Sequence, residues 1–471
     1  MTEFCRYAKK CNSCQLCNLG YEEQLKYKER LCRRLLGGLC EVESITPSPE
    51  IAGYRNKAQF VYKREGKRIA CGIYRSATRG FMAAERCAVC SDEANETAQA
   101  LGRLFQSFKI VPYDPYTGRG WLRSVIIREA RATGESMAVI IGADSIFPAK
   151  KTFAAALQKA CPGLTTAVCA VNSDPERLFS GRQTEVLFGS GTITDILCGE
   201  RFIISPSSFY QINRDQTENL YGKAVELAGL TGSETVLDAY CGVGTIGIVA
   251  SRKAKEVLAV ELNPDAIRDA RANAKLNGIE NIRFAAADSR LYAKELAERG
   301  ERVDAAFIDP PRAGCTASFL KALSRLAPER IVYISCNPET QARDIRVLGR
   351  LGYKAQTCRP FDMFPHTKHV ETVVLLSRNM PDDKIEVDLD LDELDLISAE
   401  SKATYQEIKD YVLKEYGFKV STLYISQVKR KCGIIERENY NHSRKGNPHI
   451  PQCPKEKEDA IRAALEHFAM I

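Results

Sequence analysis

Hydrophobic and polar positions follow three different rhythms along this chain. From residue 59 to 205, short runs of β-formers recur between glycines and charged turns. They predict strands over 59–63, 69–74, 122–129, 137–142, 166–172, 185–188, 192–197 and 201–205. Helical spacing appears over 21–36, apolar at Leu25, Cys32, Leu35 and Leu36, and over 92–108. A helix is also expected from about Ser205 to Leu227. Beyond Gly229 the pattern becomes a regular strand–helix alternation. Strands are expected at 234–240, 256–261, 282–286, 303–308, 330–335 and 370–376, with helices at 245–251, 265–276 and 339–351. From Lys402 onward three helical patterns follow, at 404–416, 422–431 and 455–468.

These rhythms predict an α+β domain with mostly antiparallel strands over 1–204. A doubly wound, Rossmann-like α/β domain follows over 205–380. Residues 381–401 alternate apolar residues with Asp and Glu and are expected to be an acidic linker, and 402–471 a small helical module. No apolar run approaches a membrane span, and the first residues lack the basic start and apolar stretch of a signal peptide. A cytoplasmic location and a monomer are expected. Charge adds one point: Met1 to Cys90 holds 17 Lys/Arg against 9 Asp/Glu, a basic surface suited to an anionic partner such as RNA. Lys429-Arg430-Lys431 gives the last module a similar character.

Eighteen cysteines in a chain expected to stay reduced point to metal or catalysis rather than disulfides. Cys5-x5-Cys11-x2-Cys14-x2-Cys17 is spaced for one loop to wrap a metal centre, with Cys87-x2-Cys90 as distant partners. Zinc and an iron–sulfur cluster are equally served by four thiolates.

Two further motifs carry chemistry. Asp238-Ala239-Tyr240-Cys241-Gly242-Val243-Gly244-Thr245-Ile246-Gly247 joins a strand to a helix with Gly-x-Gly-x-x-Gly spacing, and Glu261 ends the next strand, where it can hold a ribose hydroxyl. That pattern admits a nicotinamide or an S-adenosylmethionine enzyme, and nothing downstream suits hydride transfer. Asp309-Pro310-Pro311-Arg312 and Ser335-Cys336-Asn337-Pro338 end successive strands, so Asp309 and Cys336 should share one crevice. Asn337 and Pro338 suit a helix start, whose dipole is expected to lower the Cys336 thiol pKa. A thiolate beside a methyl donor suggests methylation at carbon 5 of a pyrimidine. Sulfur adds at carbon 6, carbon 5 takes the methyl, and a base removes its proton.

Four segments together resemble the bacterial RNA uracil-C5 methyltransferases: Ser205-Pro206-Ser207-Ser208-Phe209-Tyr210-Gln211-Ile212-Asn213, the Asp238–Gly244 loop, the Asp309 and Cys336 motifs, and Phe364-Pro365-His366-Thr367-Lys368-His369-Val370-Glu371. The resemblance implies Cys336 as nucleophile and Glu371 as the base. It implies S-adenosylmethionine held at Gln211, Tyr240, Glu261 and Asp309, with Asp288 toward the adenine. The spacing of Cys5, Cys11 and Cys14, closed by Cys87, looks like the 23S ribosomal-RNA branch, which carries a [4Fe-4S] cluster, and this favours iron–sulfur over zinc. Members of that branch often begin with a small β-barrel, whereas this chain starts at the cysteines, so RNA capture is expected of the basic lobe or the C-terminal module. The implied product is 5-methyluridine in 23S ribosomal RNA. The same chemistry on transfer RNA, or a non-catalytic iron–sulfur RNA-binding factor, are the alternatives.

Overall fold

The computed structural model describes residues 4–75, 80–114, 117–145, 147, 149–172, 184–379, 405–432 and 453–467. Two units are distinguished, Met1–Lys384 and Ile385–Ile471.

The first unit opens with the short helix α1 (Ala8–Cys11), the longer α2 (Tyr21–Leu36) and the two-residue strand β1 (Glu41–Val42). Next come β2 (Lys57–Glu65), β3 (Arg68–Tyr74), β4 (Phe81–Ala83), α3 (Asp92–Ser107), β5 (Leu122–Ala130), β6 (Glu135–Gly142), α4 (Lys150–Ala160), β7 (Thr166–Val171) and β8 (Thr184–Phe188). Strands β2 to β8 make one sheet in the order β4-β3-β2-β5-β6-β7-β8. It is antiparallel except where β6 meets β7, because helix α4 carries the chain back across the sheet between them. Phe105, Phe153 and Leu157 of the covering helices are fully buried against it.

A hairpin, β9 (Ile193–Leu197) and β10 (Glu200–Ile204), leads to α5 (Arg214–Ala228). This helix starts later than the apolar pattern suggests. Asn213 caps it by accepting from the Gln216 N–H at 3.4 Å. The buried Arg128 guanidinium holds the preceding loop open, donating to the carbonyls of Ser205, Pro206 and Ser208 at 2.8, 3.3 and 2.8 Å. Those carbonyls are therefore not free to form a helical turn.

The alternating stretch supplies β11 (Thr235–Ala239), α6 (Thr245–Ser251), β12 (Glu256–Glu261), α7 (Pro264–Leu276), β13 (Ile282–Ala286), α8 (Ser289–Glu298), β14 (Ala305–Ile308), α9 (Ala317–Leu326), β15 (Arg330–Ser335) and α10 (Pro338–Arg350). The long hairpin β16 (Tyr353–Phe361) and β17 (Glu371–Arg378) follows. The sheet order is β1-β16-β17-β15-β14-β11-β12-β13. Strands β11 to β15 are mutually parallel, while β17 runs antiparallel to β15. The first residue of β17 therefore lies at the edge where the parallel strands end.

Residues 1–204 do not all belong with the first sheet. Strand β1 pairs parallel with β16, and Cys32, Leu36, Val42 and Ile45 join Phe319, Leu323, Tyr353 and Val374 in the core of the α/β sheet. A two-residue strand has no period to read, so the sequence pattern alone gave no sign of this pairing.

The second unit contains α11 (Tyr405–Tyr416), α12 (Thr422–Lys431) and α13 (Lys455–His467). Ile408, Val412, Ile425, Val428, Ile461 and Leu465 are fully buried among them. Gly417, at φ 69°, ends α11, where a left-handed residue costs only glycine nothing. The expected acidic linker at 381–401 lies outside the described residues.

Candidate active site

The glycine loop after β11 is pinned from below. The Gly247 N–H donates to Asp238 Oδ2 at 2.9 Å, and a Cβ on Gly247 would lie 2.6 Å from that oxygen. Only glycine permits that approach. Tyr240, Gly242 and Gly244 take positive φ of 65°, 56° and 82°, which folds the loop back over the strand ends. Glu261 closes it by accepting from the N–H groups of Gly242 at 3.3 Å and Asn263 at 2.8 Å. Burial pushes the Asp238 carboxyl up to about 8, with Asp309 and Glu261 adding like charge. Tyr240 packs edge-on to Phe319 at 5.3 Å and senses Asp288, which caps α8 by accepting from the Leu291 N–H at 3.1 Å.

Asp309 follows β14, and burial pushes its carboxyl up to about 7. Cys336 follows β15 and is half-buried. The antiparallel register decides what faces it: Ser335 pairs with Thr372, so one step further sets Cys336 opposite Glu371. Thr372 locks that register, its hydroxyl donating to Gln341 Oε1 at 2.7 Å and lying 3.1 Å from the Ser335 carbonyl. Glu371 is buried, and its carboxyl is pushed well above the usual range by burial and then by Asp309, with Arg312 opposing.

The thiol departs from the expectation of a lowered pKa. Burial and the charge of Glu371 push Cys336 up, and the hydrogen bond to Arg312 pulls it back only in part. The helix N-terminus is present, since Asn337 caps α10 by accepting from the Glu339 N–H at 3.1 Å. Lost hydration, Glu371 and Asp309 raise the thiol, and Arg312 works against them. Nothing in the local sequence singles out Arg312 within its motif. It donates to His369 Nδ1 at 3.1 Å, and its carbonyl is fixed by Asn337 Nδ2 at 3.1 Å and Thr340 Oγ1 at 3.2 Å.

Cys336, Glu371, Asp309 and Arg312 thus form one cluster, with Asp238, Tyr240, Glu261 and Asp288 along the neighbouring strand ends. Gln211 sits in the loop before α5 and is buried, its carbonyl accepting from Asn56 Nδ2 at 2.8 Å. A floor of glycine backbone flanked by carboxyl groups suits a flat adenosine and a positively charged sulfonium, so the residues present fit S-adenosylmethionine.

The cysteine motif lies elsewhere. Cys5, Cys11, Cys14, Cys87 and Cys90 line one cavity of about 290 Å³, with Phe4, Tyr7 and Arg55 among its walls. Burial and then Cys87 push Cys14 up to about 12, while the Cys90 side chain holds Cys87 down to about 6. Among the described residues, no group of three or more His, Cys, Asp or Glu side chains is placed to hold a metal ion. No helix of the described residues is long and apolar enough to cross a membrane.

The sheet order and the glycine loop define a methyltransferase of the Rossmann-like class I fold. Residues 200–379 match the family described as tRNA (Uracil-5-)-methyltransferase. An uncharacterized RNA methyltransferase of Halalkalibacterium halodurans is 40% identical over 378 residues, covering 79% of this chain and 82% of that protein. A second, from Clostridium tetani, is 37% identical over 377 residues, with the same shares covered. The crystal structure of Pyrococcus abyssi tRNA (uracil-54, C5)-methyltransferase in complex with S-adenosyl-L-homocysteine superposes with a TM-score of 0.66 at 30% identity, covering 77% of this chain and 85% of that one. The chain belongs to the S-adenosylmethionine-dependent RNA uracil-5-methyltransferase family.

Proposed function

We propose that this enzyme methylates carbon 5 of a specific uridine in 23S ribosomal RNA, with Cys336 as nucleophile and Glu371 as base. The observation that carries the reading is the β15–β17 register, which sets the sulfur opposite the carboxyl beside Asp309 and Arg312. The target base must leave its stack to reach a crevice at the strand ends. Arg312 stabilises the Cys336 thiolate, which adds to carbon 6 of the uracil and leaves carbon 5 electron-rich. S-adenosylmethionine, held by Gln211, Tyr240, Glu261, Asp288 and Asp309, supplies an electrophilic methyl group there. Forming the carbon–sulfur bond consumes the thiolate charge that opposes Glu371. The carboxylate then takes the carbon-5 proton, and the sulfur leaves.

RNA containing 5-fluorouridine tests this, because fluorine cannot leave as a proton and the adduct persists. Wild type is expected to form a covalent adduct and Cys336→Ala none. Glu371→Gln is expected to accumulate adduct on natural RNA. Equal trapping by Cys336→Ala, or full turnover by Glu371→Gln, overturns the mechanism.

The choice of ribosomal RNA rests on the cysteine spacing and its resemblance to the cluster-bearing branch. Cys5, Cys11, Cys14 and Cys87 would hold a [4Fe-4S] cluster, and their shared cavity supports a group larger than one ion. Anaerobic purification should give a brown protein with visible absorbance; a colourless protein with one equivalent of zinc reverses the assignment. The second reading is transfer RNA, favoured by the uracil-54 activity named for the P. abyssi neighbour. Side-by-side methylation of unmethylated ribosomal and transfer RNA separates the two.

A further inference from the structure

The connection between β16 and β17, residues 362–370, carries the chain into Glu371. It has no regular structure of its own, yet backbone groups of Asp362, Phe364, Pro365, His366 and Lys368 are held from the N-terminal segment. The Leu16 N–H donates to the His366 carbonyl at 2.9 Å, and Tyr54 donates its hydroxyl to the Pro365 carbonyl at 3.2 Å. Gln24 grips His366 twice, accepting from its N–H at 2.9 Å and donating to Nδ1 at 3.2 Å, while His366 Nε2 bonds the Ile51 carbonyl at 3.0 Å. His366 is kept at φ 68°, a strained conformation for a non-glycine residue that persists only where the surroundings impose it. Phe4 stacks on its ring at 3.5 Å.

At the centre stands Lys28 of α2, wholly buried. Its ammonium bonds Asp362, the residue that follows β16, and donates to the Phe364 carbonyl at 3.0 Å. Both side chains of the pair are 0% exposed, and the Tyr21 hydroxyl also faces Asp362. The Asp362 N–H is tied to the Thr46 carbonyl at 3.0 Å. Burying an ion pair in this way contributes little stability over an apolar pair of similar volume, because desolvation offsets the attraction. Such a pair does fix direction, since neither charge can turn away without being left alone in the core.

We propose that Lys28 is a positioning residue for the base: through Asp362 and the Phe364 carbonyl it fixes the loop that aims Glu371 at the carbon-5 proton. It touches neither substrate nor reacting atoms. The proposal rests on the assignment of Cys336 and Glu371 above, and it makes the N-terminal helix part of the proton-removal step. Asp309, Cys336 and the glycine loop lie on other strands, and the link from this loop to the thiol's partner Arg312 runs through His369, beyond the Asp362–Phe364 stretch that Lys28 holds. Loss of the clamp should therefore slow release after methyl transfer, and leave sulfur addition and methylation in place.

The test uses the full-length protein with Lys28→Met and with the neutral pair Lys28→Met/Asp362→Asn. Three readouts are taken: adduct formation on 5-fluorouridine RNA, turnover on natural RNA, and adduct on natural RNA. For Lys28→Met the adduct rate with the fluorinated RNA is expected to stay within about twofold of wild type. Turnover should fall at least about tenfold, with methylated adduct accumulating on natural RNA. The double variant removes the stranded Asp362 charge and guards against a simple folding failure; it should keep the release defect. Wild-type turnover in either variant overturns the proposal. So does a loss of trapping and turnover in equal proportion in the double variant, which would mark the pair as purely structural. Failure of the underlying mechanism has its own signature, the absence of any trapped adduct with wild type.

Discussion

Asp309 offers a test in which protonation reports on cofactor binding. Its carboxyl is held at about 7 against an ordinary 3.8 because the crevice desolvates it. A group of that pKa is about nine-tenths protonated at pH 6 and about one-tenth at pH 8. A cationic ligand seated against it favours the ionised form, so binding must expel the proton where one is present. Affinity for S-adenosylmethionine is therefore expected to fall from pH 8 to pH 6 by about three- to tenfold, up to about 1.4 kcal/mol. The lower figure allows for solvent in the open crevice, where Asp309 keeps part of its surface. The same shift has a sign for stability. The folded pKa lies above the unfolded one, so the folded state binds more protons between about pH 4 and 7 and loses stability as pH rises through that window. The full penalty is on the order of 2–4 kcal/mol, and Asp309→Asn should recover much of it at pH 8. Calorimetric titration in two buffers of different ionisation enthalpy would count the released protons at pH 7, and Asp309→Asn should reduce both the release and the pH dependence, leaving the part that belongs to Asp238. An affinity equal at pH 6 and 8, or a slope unchanged by Asp309→Asn, refutes the placement of the donor against this carboxyl.

Gly247→Ala forces a methyl group to 2.6 Å from Asp238 Oδ2 and 3.2 Å from Ile282. Cofactor affinity should drop at least tenfold and stability by about 1–3 kcal/mol; calorimetry showing wild-type affinity would exclude the glycine loop as the donor floor. Arg312→Ala removes the group that holds the Cys336 thiol down, so the pH midpoint for adduct formation on 5-fluorouridine RNA should move up, with Arg312→Lys in between. An unchanged midpoint would mean that the thiolate is stabilised elsewhere. Ile461→Ala empties a fully buried site in the C-terminal helices. It should cost about 2–4 kcal/mol in a separate melting step while leaving adduct formation intact, and a shift of the main transition would contradict an independent core.

Much of this enzyme is written in local pattern. The strand–helix alternation after Gly229, the glycine loop and the placement of Asp309 and Cys336 at strand ends follow from periodicity and capping, which depend on residues a few positions apart. Glu371 is different. No local signal separates it from a surface carboxylate, and resemblance alone nominated it. Its place opposite Cys336 exists because β17 reverses direction and pairs with β15 in one register, a choice made between segments 35 residues apart. The direction of the Cys336 pKa is equally non-local, since the helix start is visible in sequence but the burial and the carboxyl groups that raise the thiol come from the folded crevice and from the ends of β14 and β17. Strand β1 and the buried Lys28–Asp362 pair stayed illegible for the same reason: they are long-range contacts of residues whose own neighbourhoods say nothing. Sequence determined most of the elements, though not, among others, β1, α8, α9 or β16, because short-range sterics and hydrophobic period set them. Tertiary structure alone decided which groups face one another, because charge, burial and register are properties of surfaces that meet only once the chain has folded.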